Sequence, residues 1–155
     1  MDIDTRLEHL GLRLPTGVTA AANYVPGILS GGHLFLSGQI PREDGRVAFR
    51  GKVGGEIGLE SACQAAGLCA LRLLAVARDM LGSLNGVRQV VELTVYVHAT
   101  PDFQEPSAVA DAASALFVEL FGEAGRHART AVCVAQLPQG AAVEIAAVLA
   151  VDAAS

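Results

Sequence analysis

Runs of basic residues are missing from this sequence. Eleven Lys and Arg residues against sixteen acids leave a net charge of −5, and the bases are scattered singly, so no stripe is available to track a phosphate backbone. Aromatic residues make up only 5% of the chain, too few for a platform on which bases stack. No nucleic-acid partner is expected. There is also no uninterrupted run of roughly 18 apolar residues, the length a membrane span needs. The N-terminus, Met1 to Pro15, mixes acids with Arg6, His9 and leucines instead of placing a basic start before an apolar block. The expectation is a cytoplasmic protein with neither signal peptide nor membrane anchor. Cysteine is scarce as well: Cys63, Cys69 and Cys133 are odd in number and include no C-x-x-C pair, which argues against a disulfide framework and a zinc site. Six-residue spacing puts Cys63 and Cys69 on different faces of a helix, as two separate small core residues.

Catalytic signatures are equally sparse. His33, His98 and His127 show no H-E-x-x-H spacing, so they read as loop or strand-end histidines and no metal is expected. Ser37 precedes Gly38 but lacks the G-x-S-x-G elbow, which argues against a serine hydrolase. The glycines at 31, 32, 38, 54 and 55 match neither nucleotide-binding loop, so no NAD, ATP or other cofactor is expected.

What is present is apolar mass. A chain of 155 residues fits one domain, 1–155, with a real core. Its residues are 52% apolar and 17% charged, and its mean hydropathy is positive. So little polar surface cannot cover so much apolar content, and self-association is the natural outlet.

Hydrophobic period orders the chain. Met1 to Thr19 is weakly amphipathic around Ile3, Leu7 and Leu10 and reads as a short appended helix. Ile28-Leu29 and His33 to Ser37 flank Gly31-Gly32 as two strands around a tight turn. Gly38 to Pro41 interrupts the second, Arg42 to Arg46 is a charged turn around Asp44-Gly45, and Val47 to Val53 forms a third short strand. Leu59 to Leu81 repeats Ala62, Ala66, Cys69, Leu73, Val76 and Met80 at helical spacing and stops near Gly82. Val87 to Val97 is too continuously β-prone for an edge and reads as a buried strand. A second helix starts near Pro106, carries Val109, Ala113, Leu116, Phe117 and Leu120 on one face, and stops at Gly122. Thr130 to Val134 and Val143 to Val151 read as a terminal hairpin joined through Leu137 to Gly140. The order is strands, helix, strand, helix, two strands: an α+β layer of two helices on one mixed sheet. Its other face is short of polar residues, and sheet packing between subunits would hide it.

Two charged residues stand in apolar strands. Arg129 opens the uncharged run Arg129 to Ala135, and its guanidinium either lies in water at the strand end or holds an anion. Glu144 sits within Val143 to Val151 on the face of Ala146 and Val148, where an unpaired carboxylate is costly. It is an outward-facing strand residue, an ion-pair partner of Arg129 across the hairpin, or a functional carboxylate. Cys133 shares a strand face with Arg129 by even spacing, as an inert thiol or as a thiolate activated by the cation.

Three stretches carry a resemblance: Tyr24-Val-Pro-Gly, Leu36-Ser-Gly-Gln-Ile-Pro41, and Arg129-Thr-Ala-Val-Cys-Val-Ala-Gln-Leu-Pro138 followed by Val143-Glu-Ile. Together they resemble the signature of the Rid family, the reactive-intermediate deaminases, over roughly Asn23 to Val151. Gly122 to Arg129 resembles a longer, little-characterised branch of it. The resemblance implies a chorismate-mutase-like α+β fold and a homotrimer whose sheets form a central barrel, with three clefts between neighbouring subunits. It implies cofactor-free hydrolysis of a 2-imino or 2-amino-2-enoic acid to a 2-oxo acid and ammonia. Arg129 would grip the substrate carboxylate, Tyr24 and Ser37 would line the cleft, and Glu144 would position the water. Two positions depart from the pattern. Ala131 stands where some relatives have a thiol, and Asp111 stands where relatives place an Asn, so that a cleft-facing carboxylate would repel an anionic substrate. The other readings are a non-catalytic trimer that senses a small carboxylate, and a ribonuclease, which the acidic charge and the lack of a catalytic His pair oppose.

Overall fold

The two long helices form where period and breakers agree. In the computed structural model, which describes residues 1–153, α2 runs from Leu59 to Leu81 and ends on Gly82, whose left-handed backbone (φ 81°) caps it. Helix α3 runs from Pro106 to Phe121, with Pro106 in its first turn and Gly122 beyond its end. Ala62, Ala66, Cys69, Leu73 and Val76 of α2 are buried as expected, and Met80 lies at the exposed margin. Cys63 is half-buried, apart from Cys69. Helix α2 has the length and hydropathy of a membrane span, and this fold uses it as its core helix, laid on the sheet and against α3.

The sheet is mixed. Strands β1 (Gly27–Ser30) and β2 (His33–Gln39) form the expected hairpin, with both turn glycines at positive φ. Strand β2 continues through Gly38, and its pairing shifts register between Leu36 and Gln39. Strands β3 (Arg42–Glu43) and β4 (Arg46–Val47) form a two-stranded flap around Asp44-Gly45. The strand expected over Val47 to Val53 is absent. Gly51 has φ 128°, which a regular strand does not tolerate, and the segment makes only isolated bridges at Arg50 and Val53.

Strands β5 (Val87–His98), β6 (Ala128–Val134) and β7 (Val143–Val151) complete the sheet in the order β1-β2-β7-β5-β6. This order overturns the terminal hairpin. Strand β6 lies parallel to β5 at the sheet edge, and β7 lies antiparallel to β5 on its other side, next to β2. The twelve-residue β5 is an interior strand and has two edges to satisfy. The connection after β6 crosses the end of β5 through a short turn at Pro138–Gly140, where Gln139 is left-handed (φ 56°).

The N-terminal helix is shorter than expected: α1 covers Ile3–His9, N-capped by Asp2, whose carboxylate accepts from the Thr5 amide at 2.8 Å. Leu7 is buried, and Leu12, Leu14 and Val18 of the following segment pack on the core. All the long helical mass covers one face of the sheet. On the other face Ile28 and Phe35, cross-strand partners, are 57% and 45% exposed. Val132, on the same face of β6 at the far edge of the sheet, is 38% exposed, so this face has uncovered apolar residues at both edges in the single chain.

Candidate functional site

Strand register settles which side each candidate occupies. Leu93 and Val95 of β5 are fully buried under the helices, and Leu93 pairs with Arg129. Arg129 therefore faces the helix side, where Asp111 and Ser114 of α3 meet it. Its Nη1 donates to Asp111 Oδ1 at 2.8 Å and to Ser114 Oγ at 3.1 Å. The side chain of Arg129 is 23% exposed and that of Asp111 71%. Ser114 is in turn 2.9 Å from His127 Nε2, and His127 Nδ1 lies 2.6 Å from the Gly125 carbonyl. A carbonyl only accepts, so Nδ1 carries the proton, and the neutral ring's Nε2 accepts from the Ser114 hydroxyl. This chain of contacts fixes one guanidinium at the edge of the sheet, beside a shallow hollow of about 240 Å³ shared with Val118 and Arg126.

Glu144 pairs with Tyr96 and alternates with the fully buried Val143 and Ile145. It therefore falls on the side of Ala146 and Val148, as the sequence spacing predicts. Two strand positions separate β7 from β6, which is roughly 10 Å of lateral distance. Arg129 and Glu144 therefore lie on opposite faces and form no ion pair across a hairpin. Burial pushes the Glu144 carboxyl above its ordinary value, and no cation offsets it. Glu144, Tyr24, Gly38, Gln39 and Arg72 line a narrow cleft of about 90 Å³ where β2 bulges. A Cβ on Gly38 would stand 2.9 Å from Glu144 Oε2, so glycine leaves room for the carboxylate there.

Tyr24 is half exposed at the cleft. Ser37 acts through the backbone: its hydroxyl donates to the Val25 carbonyl at 2.7 Å and its amide to the Pro26 carbonyl at 2.9 Å, which ties the Tyr24 segment to β2. The structure thus brings Tyr24 and Glu144 to one cleft, sets Ser37 behind the Tyr24 segment and off the cleft wall, and leaves Arg129 elsewhere. Cys133 shares the face of Arg129, as its even spacing implies. Its Sγ contacts the Phe103 carbonyl at 3.7 Å and its pKa is raised by desolvation, so it is no activated thiolate. His33 and His98 stand at strand ends, as expected. Among the described residues no group of three or more His, Cys, Asp or Glu could hold a metal ion.

Sequence reasoning missed Ser114, His127 and Arg72. The first two are thirteen residues apart in no known spacing. Arg72, the one charge between Leu71 and Leu73 in an apolar helix, was a visible signal.

The family model described as "YjgF/chorismate mutase-like, putative endoribonuclease" matches residues 4–148. The chain belongs to this family. Among its relatives, protein TCP17 of Trypanosoma cruzi is 43% identical over 95% of this chain and 92% of that protein. The crystal structure of Atu1372 from Agrobacterium tumefaciens, of unknown function, is 44% identical and covers 97% of this chain and 92% of its own, with a TM-score of 0.89. Members that carry more specific names are further away. RidA of an Antarctic Psychrobacter and Escherichia coli TdcF with bound serine are each 26% identical, cover 86% and 87% of this chain and 92% of their own, and have TM-scores of 0.60 and 0.61. The Rid-like assignment and the chorismate-mutase-like α+β fold therefore stand.

Proposed function

We propose that this chain is a cofactor-free hydrolytic deaminase of 2-imino and 2-enamino acids, working as a homotrimer whose sites lie between subunits. The observation that carries the reading is the division of one site into two halves. Arg129 waits at a free sheet edge on one face, while Glu144 and Tyr24 line a cleft reached from the other. A neighbouring copy that brings its β6 edge to the Glu144 cleft completes the site, and sheet packing hides Ile28, Phe35 and Val132. The serine bound to the TdcF relative supports a site for small amino-acid-like carboxylates.

In this reading Arg129 of one subunit takes the substrate carboxylate through two parallel N–H donors and thereby points the imine carbon into the neighbouring cleft. Water adds to that carbon as Glu144 accepts its proton. Burial raises the pKa of Glu144, which strengthens it as a proton acceptor relative to an ordinary carboxylate. Glu144 then returns that proton to nitrogen, giving a carbinolamine, and next relays the carbinolamine hydroxyl proton to nitrogen as the C–N bond breaks, so that ammonia leaves and the carbonyl of the 2-oxo acid forms. Tyr24 closes the cleft.

One observation favours a second reading. The fork of Arg129 already holds a carboxylate, that of Asp111, which fits a trimer that senses a small carboxylate without turning it over. Freshly generated 2-iminopropanoate separates the two. Wild-type protein should release ammonia faster than the uncatalysed reaction, light scattering should give about three chain masses, and Arg129→Ala should lose nearly all turnover, on the order of 2 to 4 kcal/mol. A monomer, or full turnover in Arg129→Ala, would refute the shared site.

A further inference from the structure

Arg72 is a half-buried charge on the apolar helix α2, and both groups that accept its hydrogen bonds are neutral. Its Nε donates to the amide oxygen of Gln39 at 3.1 Å and its Nη1 to the backbone carbonyl of Arg42 at 3.4 Å. Gln39 is itself buried, so the guanidinium is held in one orientation. No carboxylate among the described residues pairs with Arg72 or Arg42, although three other arginines of the chain pair with nearby acids and Arg129 with Asp111. Two neighbouring guanidiniums without a counter-ion repel each other, and partial burial adds to the cost until an anion bridges them. Burial and the nearby Arg42 both depress the proton affinity of Arg72, which agrees with this geometry.

Space for such an anion lies beside them. A cavity of about 750 Å³ opens between residues 13–21, the β3–β4 flap and α2. Arg42 and Arg72, with Thr19 and Ala21, border both this cavity and the Glu144 cleft. Arg13 adds a third positive charge to the wall. Glu43 and Asp44 also border the cavity but are exposed on the flap and pair with neither guanidinium.

We infer that Arg42 and Arg72 form a second anion subsite adjoining the Glu144 cleft, which selects ligands bearing a distal acidic group, carboxylate or phosphate, in addition to the carboxylate taken by Arg129. The inference rests on the proposed shared site for its first anchor. The ligand class is a dianionic imino acid and its 2-oxo acid product, with one charge at each end.

Calorimetric titration of the full-length protein tests this without turnover. Wild type should bind 2-oxoglutarate about tenfold more tightly than 2-oxobutanoate, because one extra charge-assisted contact is made. Arg72→Gln should bring the two affinities together, the ratio of the two constants being the readout whatever happens to either one alone. Arg42→Gln should reduce that ratio in the same direction, and since Arg72 bonds only the backbone carbonyl of Arg42, it keeps the test alive if Arg72→Gln misfolds. 3-Phosphoglycerate, run beside 2-oxoglutarate, decides whether phosphate or carboxylate is preferred. Equal affinity of wild type for the mono- and dianions, or no binding of either dianion, would overturn the subsite. Failure to hydrolyse any imine would instead overturn the deaminase reading alone, since the dianion preference is read from binding.

Discussion

Exchanging Asp111 for asparagine removes one charge and almost nothing else. The amide oxygen still accepts from Arg129, so the guanidinium keeps its place, but an incoming carboxylate no longer competes with a charged partner. The size of the effect follows from exposure. At roughly 4 Å between charge centres and an effective dielectric of about 20, the Coulomb energy is about 4 kcal/mol, which is an upper bound. Asp111 is 71% exposed against 23% for Arg129, and exposed pairs are measured at ~0.2–1 kcal/mol. One shielded partner argues for the upper end, about 1 kcal/mol, or roughly fivefold in affinity. Titration of 2-oxobutanoate into both proteins should therefore show Asp111→Asn binding about fivefold more tightly at low salt. The gain should shrink at about 0.2 M salt, where screening already weakens the Arg129–Asp111 pair. Melting temperature should change by no more than about 2 °C. If Asp111→Asn bound the carboxylate more weakly, Asp111 would be an orienting group that the ligand needs, and the competition argument would be wrong.

Glu144→Gln tests the buried carboxyl. Below its ordinary pKa of 4.5, Glu144 is protonated in both the folded and the unfolded chain. As pH rises from there through the raised folded value, the unfolded chain releases the proton first and folding loses stability. At pH 7 the variant should thus melt at or above the wild-type temperature, with the difference vanishing in scans below about pH 4.5, while carboxylates still bind and kcat falls; a variant destabilised at pH 7 would indicate a structural ion pair. Phe117→Ala addresses the core. Phe117 is fully buried, 6.5 Å from the Phe121 ring and 6.3 Å from the His127 ring, so its loss should cost about 3–5 kcal/mol and lower the melting point by on the order of 10 °C. A shift under about 3 °C would show that the core repacks around it.

The helices were legible because apolar period and breakers coincide at Leu59–Leu81 and Pro106–Phe121. Strand pairing was not. The short connection through Leu137 to Gly140 looks like a hairpin, yet a turn can also carry the chain over the end of an intervening strand, and nothing local separates the two. The demand came from β5, whose second edge only β7 can satisfy. The same gap hid the site. The nine residues between Val134 and Glu144 contain a left-handed Gln139 and a turn that carries the chain past β5, so the lateral separation of Glu144 from Arg129 could not be read from their spacing. What each residue can do chemically and which residues share its strand face were readable; which strand would lie beside which was not.

Charge accounting in the single chain explains why those faces matter. Among the described residues, Glu144 is half-buried with no cation against it, and Arg72 and Arg42 are cations with no carboxylate against them. Arg129 holds only a carboxylate that is mostly in water. Shared lining does not bring Glu144 and Arg72 into contact, because Gln39 occupies the Nε of Arg72 and leaves open space between them. Each mismatch costs free energy that a fold serving stability alone would have removed by pairing the charges or replacing them with apolar residues. In the proposed shared site, a dianion lying between Arg72 and a neighbour's Arg129 would relieve both cations at once and would set its electrophilic carbon before Glu144, which is how the proposed site accounts for the three charges together.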